Sequence, residues 1–130
     1  MNNFTFSIVI PAYNAAHTIN KTIHSIFQQI LAPKEIIIVD DCSTDSTINI
    51  IQQIIAHNHT EIAIHLYQQD KNSGPASARN LGWEKATGDI ICFLDSDDEF
   101  TSNKLAFLNT HWPTDAHIVI NGFSHQATND

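Results

Sequence analysis

Asp95, Asp97 and Asp98 follow directly on an apolar run, residues 90–94, whose β-branched and aromatic side chains read as a strand buried on both faces. Such a strand ends in water, so the carboxylates belong to its carboxyl edge. In open α/β sheets that edge is where ligands bind. Crowded carboxylates repel one another unless a cation offsets their charge, and hard oxygen ligands suit Mg²⁺ or Mn²⁺. Asp97, joined by Asp98, can hold a divalent cation that bridges two phosphates, and Asp95 can take a ribose hydroxyl or a metal-bound water. A second acidic pair, Asp40-Asp41, ends another apolar run and can accept hydrogen bonds from base N–H groups or sugar hydroxyls. Tyr13 can offer a ring face to a base. Arg79, the sole arginine, can aim its rigid fork of donors at base or phosphate. Plainer uses compete: a solvated acidic turn at 95–98, packing for Tyr13, a helix cap for Asp41, a surface helix position for Arg79.

The elements that must position these residues alternate along the chain. Residues 6–10 form an apolar strand, which Pro11 is expected to end. From Ala15 the period changes, and Ile19, Ile23, Ile26, Phe27 and Ile30 recur at helical intervals before Pro33. Glu35 opens a second strand, Ile36-Ile37-Ile38-Val39, running into Asp40-Asp41. Ser43 or Thr44 can cap the next helix, with Asp45 in its first turn and Ile48, Ile51, Ile54 and Ile55 as its buried stripe. Ile62, Ile64 and Leu66 alternate with more polar residues, as in an edge strand. Gly74-Pro75 opens a helix over residues 76–86 that stops at Thr87-Gly88. After the strand at 90–94, a short helix is expected over 104–110 and another strand over 116–120, ended by Asn121-Gly122.

This alternation implies right-handed crossovers and a mainly parallel sheet flanked by helices, the α/β class. The expected strand order is 3-2-1-4, as in a Rossmann-like nucleotide-binding half, with the topological switch between the first and fourth strands. Pro11-Ala12-Tyr13-Asn14, Asp40-Asp41 and Asp95 then converge on one crevice.

The 130 residues suffice for one domain with a real core, and a 42% hydrophobic content makes the chain globular. A formal net charge of −8 argues against nucleic acid as a partner. It leaves room for a phosphate ligand that arrives with its own metal. Cys42 and Cys92 are too few for a disulfide framework or a zinc site, and Cys92 reads as a small core residue. The histidines show no ligand spacing, and His57 and His59 fall in a polar connection. No basic start with a long apolar region marks a signal peptide, and no apolar run reaches membrane-helix length. A reducing, cytoplasmic setting is expected, which makes the Asn-x-Thr sequons at Asn3, Asn20 and Asn58 chance matches.

Four segments together carry a resemblance. They are Ser7-Ile8-Val9-Ile10-Pro11-Ala12-Tyr13-Asn14, Ile38-Val39-Asp40-Asp41-Cys42-Ser43-Thr44-Asp45, Gly74-Pro75-Ala76-Ser77-Ala78-Arg79-Asn80 and Phe93-Leu94-Asp95-Ser96-Asp97-Asp98. In this order and spacing the chain resembles the family 2 glycosyltransferases. The resemblance implies a GT-A fold, a nucleotide-sugar donor (a UDP-sugar by family habit) and inverting single-displacement transfer to the hydroxyl of a saccharide or lipid-linked acceptor. It implies donor binding by Pro11, Ala12, Tyr13, Asn14, Asp40, Asp41, Arg79, Asp95 and Ser96. It also implies the family's Asp-x-Asp at Asp95 and Asp97, with Asp97 the main ligand of Mn²⁺ or Mg²⁺ and Asp98 beside it.

Family members continue well past the strand that matches residues 118–120, and the later part supplies acceptor contacts and the general base. Residues 1–130 are therefore expected to form a single nucleotide-sugar-binding domain, a truncated GT-A domain without the acceptor-binding half. The expected chain alone binds donor but scarcely transfers it, can self-associate, and in full-length form can sit peripherally on a membrane. His125, in a polar tail, is a poor candidate for the missing base. Two alternatives stand beside this reading. A non-catalytic nucleotide-sugar-binding module would show no turnover. A receiver-type signalling domain would need its acidic pair after the first strand, where Pro11-Ala12-Tyr13-Asn14 stands, and a basic residue where Asn121-Gly122 stands.

Overall fold

A computed structural model describes residues 2–113 and 115. Its elements in order are β1 (Phe6–Ala12), α1 (Ile19–Phe27), β2 (Glu35–Asp40), α2 (Thr47–Ala56), β3 (Ala63–Gln68), α3 (Pro75–Lys85), β4 (Ile90–Phe93) and α4 (Lys104–His111). The expected strand over 116–120, Asn121-Gly122 and His125 lie outside the described residues.

The sheet is parallel throughout, in the order β3-β2-β1-β4. The reason lies in the side chains of β1 and β2, every one of which is buried. Strands apolar on both faces need helices above and below, and only crossover connections supply them. Ile8, Ile10, Ile36 and Ile38 point to one face, where they meet Ile19, Ile23 and Ile26 of α1, Ile51 of α2, and Leu105 and Leu108 of α4. Val9, Ile37 and Val39 point to the other, where Ala78 of α3 packs. β3 alternates exposed and half-buried side chains at its edge position, as its sequence pattern requires.

Four expectations need correction. Pro11 does not end the first strand, since β1 continues to Ala12 and Pro11 pairs in register with Val39. Val9 directs its carbonyl towards β4, accepting from Leu94 N–H, while Ala12 directs its carbonyl towards β2, accepting from Asp41 N–H. By strand alternation Pro11 faces the β4 side, where the β4 ladder has already run out, so its missing N–H costs no ladder bond. Second, β4 is not buried on both faces. It has no strand beyond it among the described residues, Phe93 is 40% exposed, and its ring stacks on the exposed Trp83 of α3.

Third, Ile30 is 75% exposed, because α1 stops at Phe27. The buried residue of that turn is Gln29 instead. Its amide donates to Ser25 O and Thr101 O, and its Oε1 accepts from Leu105 N–H, which fastens the end of α1 to the start of α4. Fourth, neither Ser43 nor Thr44 caps α2. The helix begins at Thr47, whose N–H and hydroxyl both donate to the Asp45 carboxylate. That hydroxyl contact leads the effects that hold the Asp45 carboxyl below its ordinary value.

Away from the carboxyl edge, Glu35 is only 5% exposed. It accepts from Ser7 Oγ at 2.6 Å, Thr87 N at 2.7 Å and Thr87 Oγ1 at 2.9 Å, and His65 Nε2 lies 3.7 Å away. Burial pushes its pKa up, but these hydrogen bonds and the His65 interaction outweigh burial and hold it below its ordinary value. Glu35 thus pins the α3–β4 turn to β1 and β2. Cys92 packs against the core, and burial lifts its thiol to about 11.

Candidate functional site

A crevice of about 710 Å³ opens at the carboxyl edge of the sheet. Its walls come from the end of β1 and the loop into α1 (Pro11, Ala12, Tyr13, Asn14, Ala15, His17, Thr18), from Asp41 after β2, from Asn72 and the start of α3 (Gly74, Pro75, Ala78, Arg79), and from Asp95, Ser96 and Asp97 after β4. Four segments distant in sequence meet there because β3, β2, β1 and β4 lie side by side in a parallel sheet and end on the same side.

Each loop is fixed by polar contacts. Asn14 has a φ of 47°, a left-handed conformation that Asn tolerates better than most residues. That conformation turns its Oδ1 to accept from Thr44 N at 2.8 Å, while its own N–H donates to Ser43 Oγ at 2.8 Å. Ala15 N–H donates to Thr47 Oγ1, and Ala16 N–H to Asp45 Oδ2. The β1–α1 and β2–α2 loops are thereby bound to each other. On the other side, Ser96 O accepts from Thr18 Oγ1 at 2.8 Å and Thr22 Oγ1 at 2.9 Å, so α1 also carries the loop after β4.

The two adjacent aspartates after β2 have separate tasks. Asp40 is fully buried, takes both the N–H and the hydroxyl of Ser43, and does not line the crevice. Asp41 lines it. Asp41 Oδ1 accepts from Gln69 Nε2 at 3.0 Å and Ser73 N at 2.7 Å, and Oδ2 accepts from Gly74 N at 2.9 Å. A carboxylate has about four lone-pair sites, so Oδ2 keeps capacity for one more donor. Cys42, next in sequence, has a φ of 63°, and its Sγ donates to Gln69 O. Burial is the leading reason that its thiol is raised, with Asp41, Asp40 and Asp70 adding to it.

Tyr13 is 51% exposed, with its ring open to the crevice. Arg79 reaches across from α3, Nη2 donating to Asp95 Oδ1 at 3.0 Å between half-exposed side chains. Asp95, Asp97 and Asp98 can each present one oxygen such that all of these atoms lie within 4.8 Å of one another. Asp98 N–H donates to Asp95 O, closing the turn that gathers them. Burial first, then the charges of Asp97 and Asp95, raises the Asp98 carboxyl above its ordinary value. A cation among the three would relieve that repulsion, and the all-oxygen donor set suits Mg²⁺ or Mn²⁺. Asp98 stands beside the crevice rather than in its wall.

The crevice therefore brings together Pro11, Ala12, Tyr13, Asn14, Asp41, Arg79, Asp95, Ser96 and Asp97 of the expected set, and leaves Asp40 beneath it. Sequence reading passed over His17, Thr18 and Asn72. Asn72 had a signal in the turn-forming cluster Asn72-Ser73-Gly74. His17 and Thr18 had none, since they face the site only through the irregular approach to α1.

A family model described as glycosyl transferase family 2 matches residues 7–127. A glucosyltransferase of Escherichia coli, WfgD, named as acting with UDP-Glc on α-D-GlcNAc-diphosphoundecaprenol, is 37% identical over 105 residues, covering 81% of this chain and 40% of its own. Among solved structures, Staphylococcus aureus TarS 1-349 in complex with UDP-GlcNAc superposes with a TM-score of 0.71 at 33% identity, covering 82% of this chain and 32% of that one. The mannosyltransferase PcManGT of Pyrobaculum calidifontis, in complex with GDP-Man and Mn²⁺, gives a TM-score of 0.72 at 27% identity over 82% of this chain and 32% of its own. The fold of these glycosyltransferases is the GT-A fold, which agrees with the observed sheet order. The chain spans only part of the length of the curated relatives it matches, 38% and 41% in two cases and 14% in another.

Proposed function

This chain belongs to glycosyl transferase family 2, and from that membership we propose that its crevice binds the nucleoside diphosphate of a nucleotide-sugar donor and presents the sugar for transfer. One observation carries the reading. An open aromatic ring, a carboxylate with a spare acceptor site, the sole arginine and a carboxylate trio share one crevice at the sheet's carboxyl edge.

In this reading Tyr13 stacks on the base and Asp41 Oδ2 accepts from a base N–H or a ribose hydroxyl. Arg79 supplies a second positioning contact and, through Asp95, ties the nucleotide end of the crevice to the acidic end. Asp97, with Asp95 and Asp98, would hold a divalent cation. When bound, such an ion supplies positive charge against the departing diphosphate. The Thr18 and Thr22 hydroxyls on Ser96 O keep the acidic loop from moving as charge arrives.

A UDP-sugar donor and a saccharide or lipid-linked acceptor belong to the same proposal, supported by the names of the relatives, and inverting displacement belongs to it through the family resemblance. So does a cytoplasmic setting with peripheral membrane association of the full-length enzyme. The acceptor site and general base are assigned to the part of the relatives' length that this chain does not span. The alternative, a non-catalytic nucleotide-sugar-binding module, is separated from this reading by turnover of a nucleotide sugar. Family membership sets the receiver-type alternative aside.

Calorimetry of UDP, GDP and ADP with Mn²⁺ and with excess chelator tests the proposal. Binding of one of them in Mn²⁺, much weakened in chelator, is expected. Absence of binding under both conditions would refute it.

A further inference from the structure

Charge in the crevice wall is unbalanced. Asp41, Asp95 and Asp97 line it, against two side chains able to carry positive charge, Arg79 and His17. Arg79 is committed to Asp95 at 3.0 Å. His17 is exposed, and its ring has no hydrogen-bond or ion-pair partner among the described residues. The backbone beneath the ring is not free. Ala16 N–H is held by Asp45, and the neighbouring Thr18 hydroxyl is bound to Ser96 O at 2.8 Å. An uncommitted imidazole is thus anchored beside the acidic loop, while Asp41 belongs to the other side, tied to Gln69, Ser73 and Gly74.

A nucleoside diphosphate whose base engages Tyr13 and Asp41 must run its phosphates towards Asp95 and Asp97. Resting on the donor-binding reading above, we infer that His17 is a donor-positioning residue whose ring N–H donates to an oxygen of the terminal phosphate of the nucleoside diphosphate. The imidazole has an N–H to give in either protonation state. It adds a directional contact that Arg79, held by Asp95, does not supply. Sequence motifs give no hint of this, because an imidazole in a loop carries no spacing signal.

The test measures affinities for the nucleoside diphosphate that the parent binds, for the corresponding monophosphate and for the nucleotide sugar, all in Mn²⁺. His17→Ala should weaken the diphosphate about 10-fold, the usual scale for losing a hydrogen bond to a charged group. The monophosphate should change less than about 2-fold, and His17→Gln, which keeps a donor, should recover most of the loss. Unchanged thermal unfolding of both variants would show that the fold is intact. Equal weakening of mono- and diphosphate, or a loss seen only with the nucleotide sugar, would place His17 elsewhere and overturn the inference, as would no change at all. A parent chain that binds no nucleotide would overturn the donor reading itself, a result distinct from a binding parent with an indifferent His17→Ala.

Discussion

Replacing Gly82 by alanine tests how tightly α3 is set on the sheet, and with it how Arg79 reaches the crevice. Gly82 is buried in the middle of α3, and a Cβ there would come within 2.3 Å of Val9 Cγ1. Val9 cannot yield easily. It is fully buried in β1 with Ile37, Val39 and Ala78 around it, and a β-branched side chain in a strand has little χ1 freedom. Alanine gains about 1 kcal/mol over glycine in helix propensity. Overpacking of a filled core costs about 1–3 kcal/mol, and a 2.3 Å approach belongs at the upper end of that range. The net expectation is a destabilisation of about 1–2 kcal/mol, a fall in Tm of about 3–10 °C for a chain this size. Because Arg79 lies one turn before Gly82 on the same helix, displacement of α3 should also loosen its contact with Asp95. Thermal and urea unfolding of Gly82→Ala beside the parent would measure the first effect. Stability equal to or above the parent would refute the close packing on which the position of Arg79 depends.

Three further outcomes are expected. Asp41→Asn should destabilise the loop over residues 69–74 by about 1–3 kcal/mol, because an amide cannot accept from Gln69, Ser73 and Gly74 as the carboxylate does. Faster amide exchange at Ser73 and Gly74 would report it. Asp97→Asn should leave unfolding unchanged but weaken Mn²⁺-dependent nucleotide binding at least about 10-fold, the scale of one lost charged contact, and calorimetry would read both. The third concerns acid. A carboxyl whose pKa is lowered on folding contributes stability above its unfolded value, and that contribution is lost as pH falls through the folded value. Glu35, lowered from 4.5, should therefore make the parent lose stability as pH drops below about 4.5, and Glu35→Gln should flatten that part of a Tm–pH curve.

The sheet was legible because β1 and β2 each carry an unbroken apolar run, residues 8–10 and 36–39, and because helix periods or helix start and stop signals separate the strands. Strand order followed from chirality and crossover rules rather than from any single residue. Local exceptions were hidden for physical reasons. Pro11 fits inside β1 only because the β4 ladder ends before it, a fact of register that a sequence does not display. Gln29 replaces Ile30 in the interior because three backbone partners await its amide across a turn. At the site, the acidic groups showed themselves through clustering. The division of labour between Asp40 and Asp41 did not, since it depends on which carboxylate the Ser43 turn captures.

The most direct measurement is nuclear magnetic resonance mapping of the backbone amides during titration with Mn²⁺ and then with UDP or GDP. Paramagnetic broadening by Mn²⁺ should centre on residues 95–98 and reach the start of α1. The nucleotide should then shift Tyr13, Asp41, Gly74 and Arg79 while leaving Glu35, Thr87 and Gly88 at the far end of the strands unmoved. Broadening and shifts centred elsewhere, such as the groove between α1 and α2 lined by Asn20, Ile50 and His57, would contradict a donor site at the carboxyl edge.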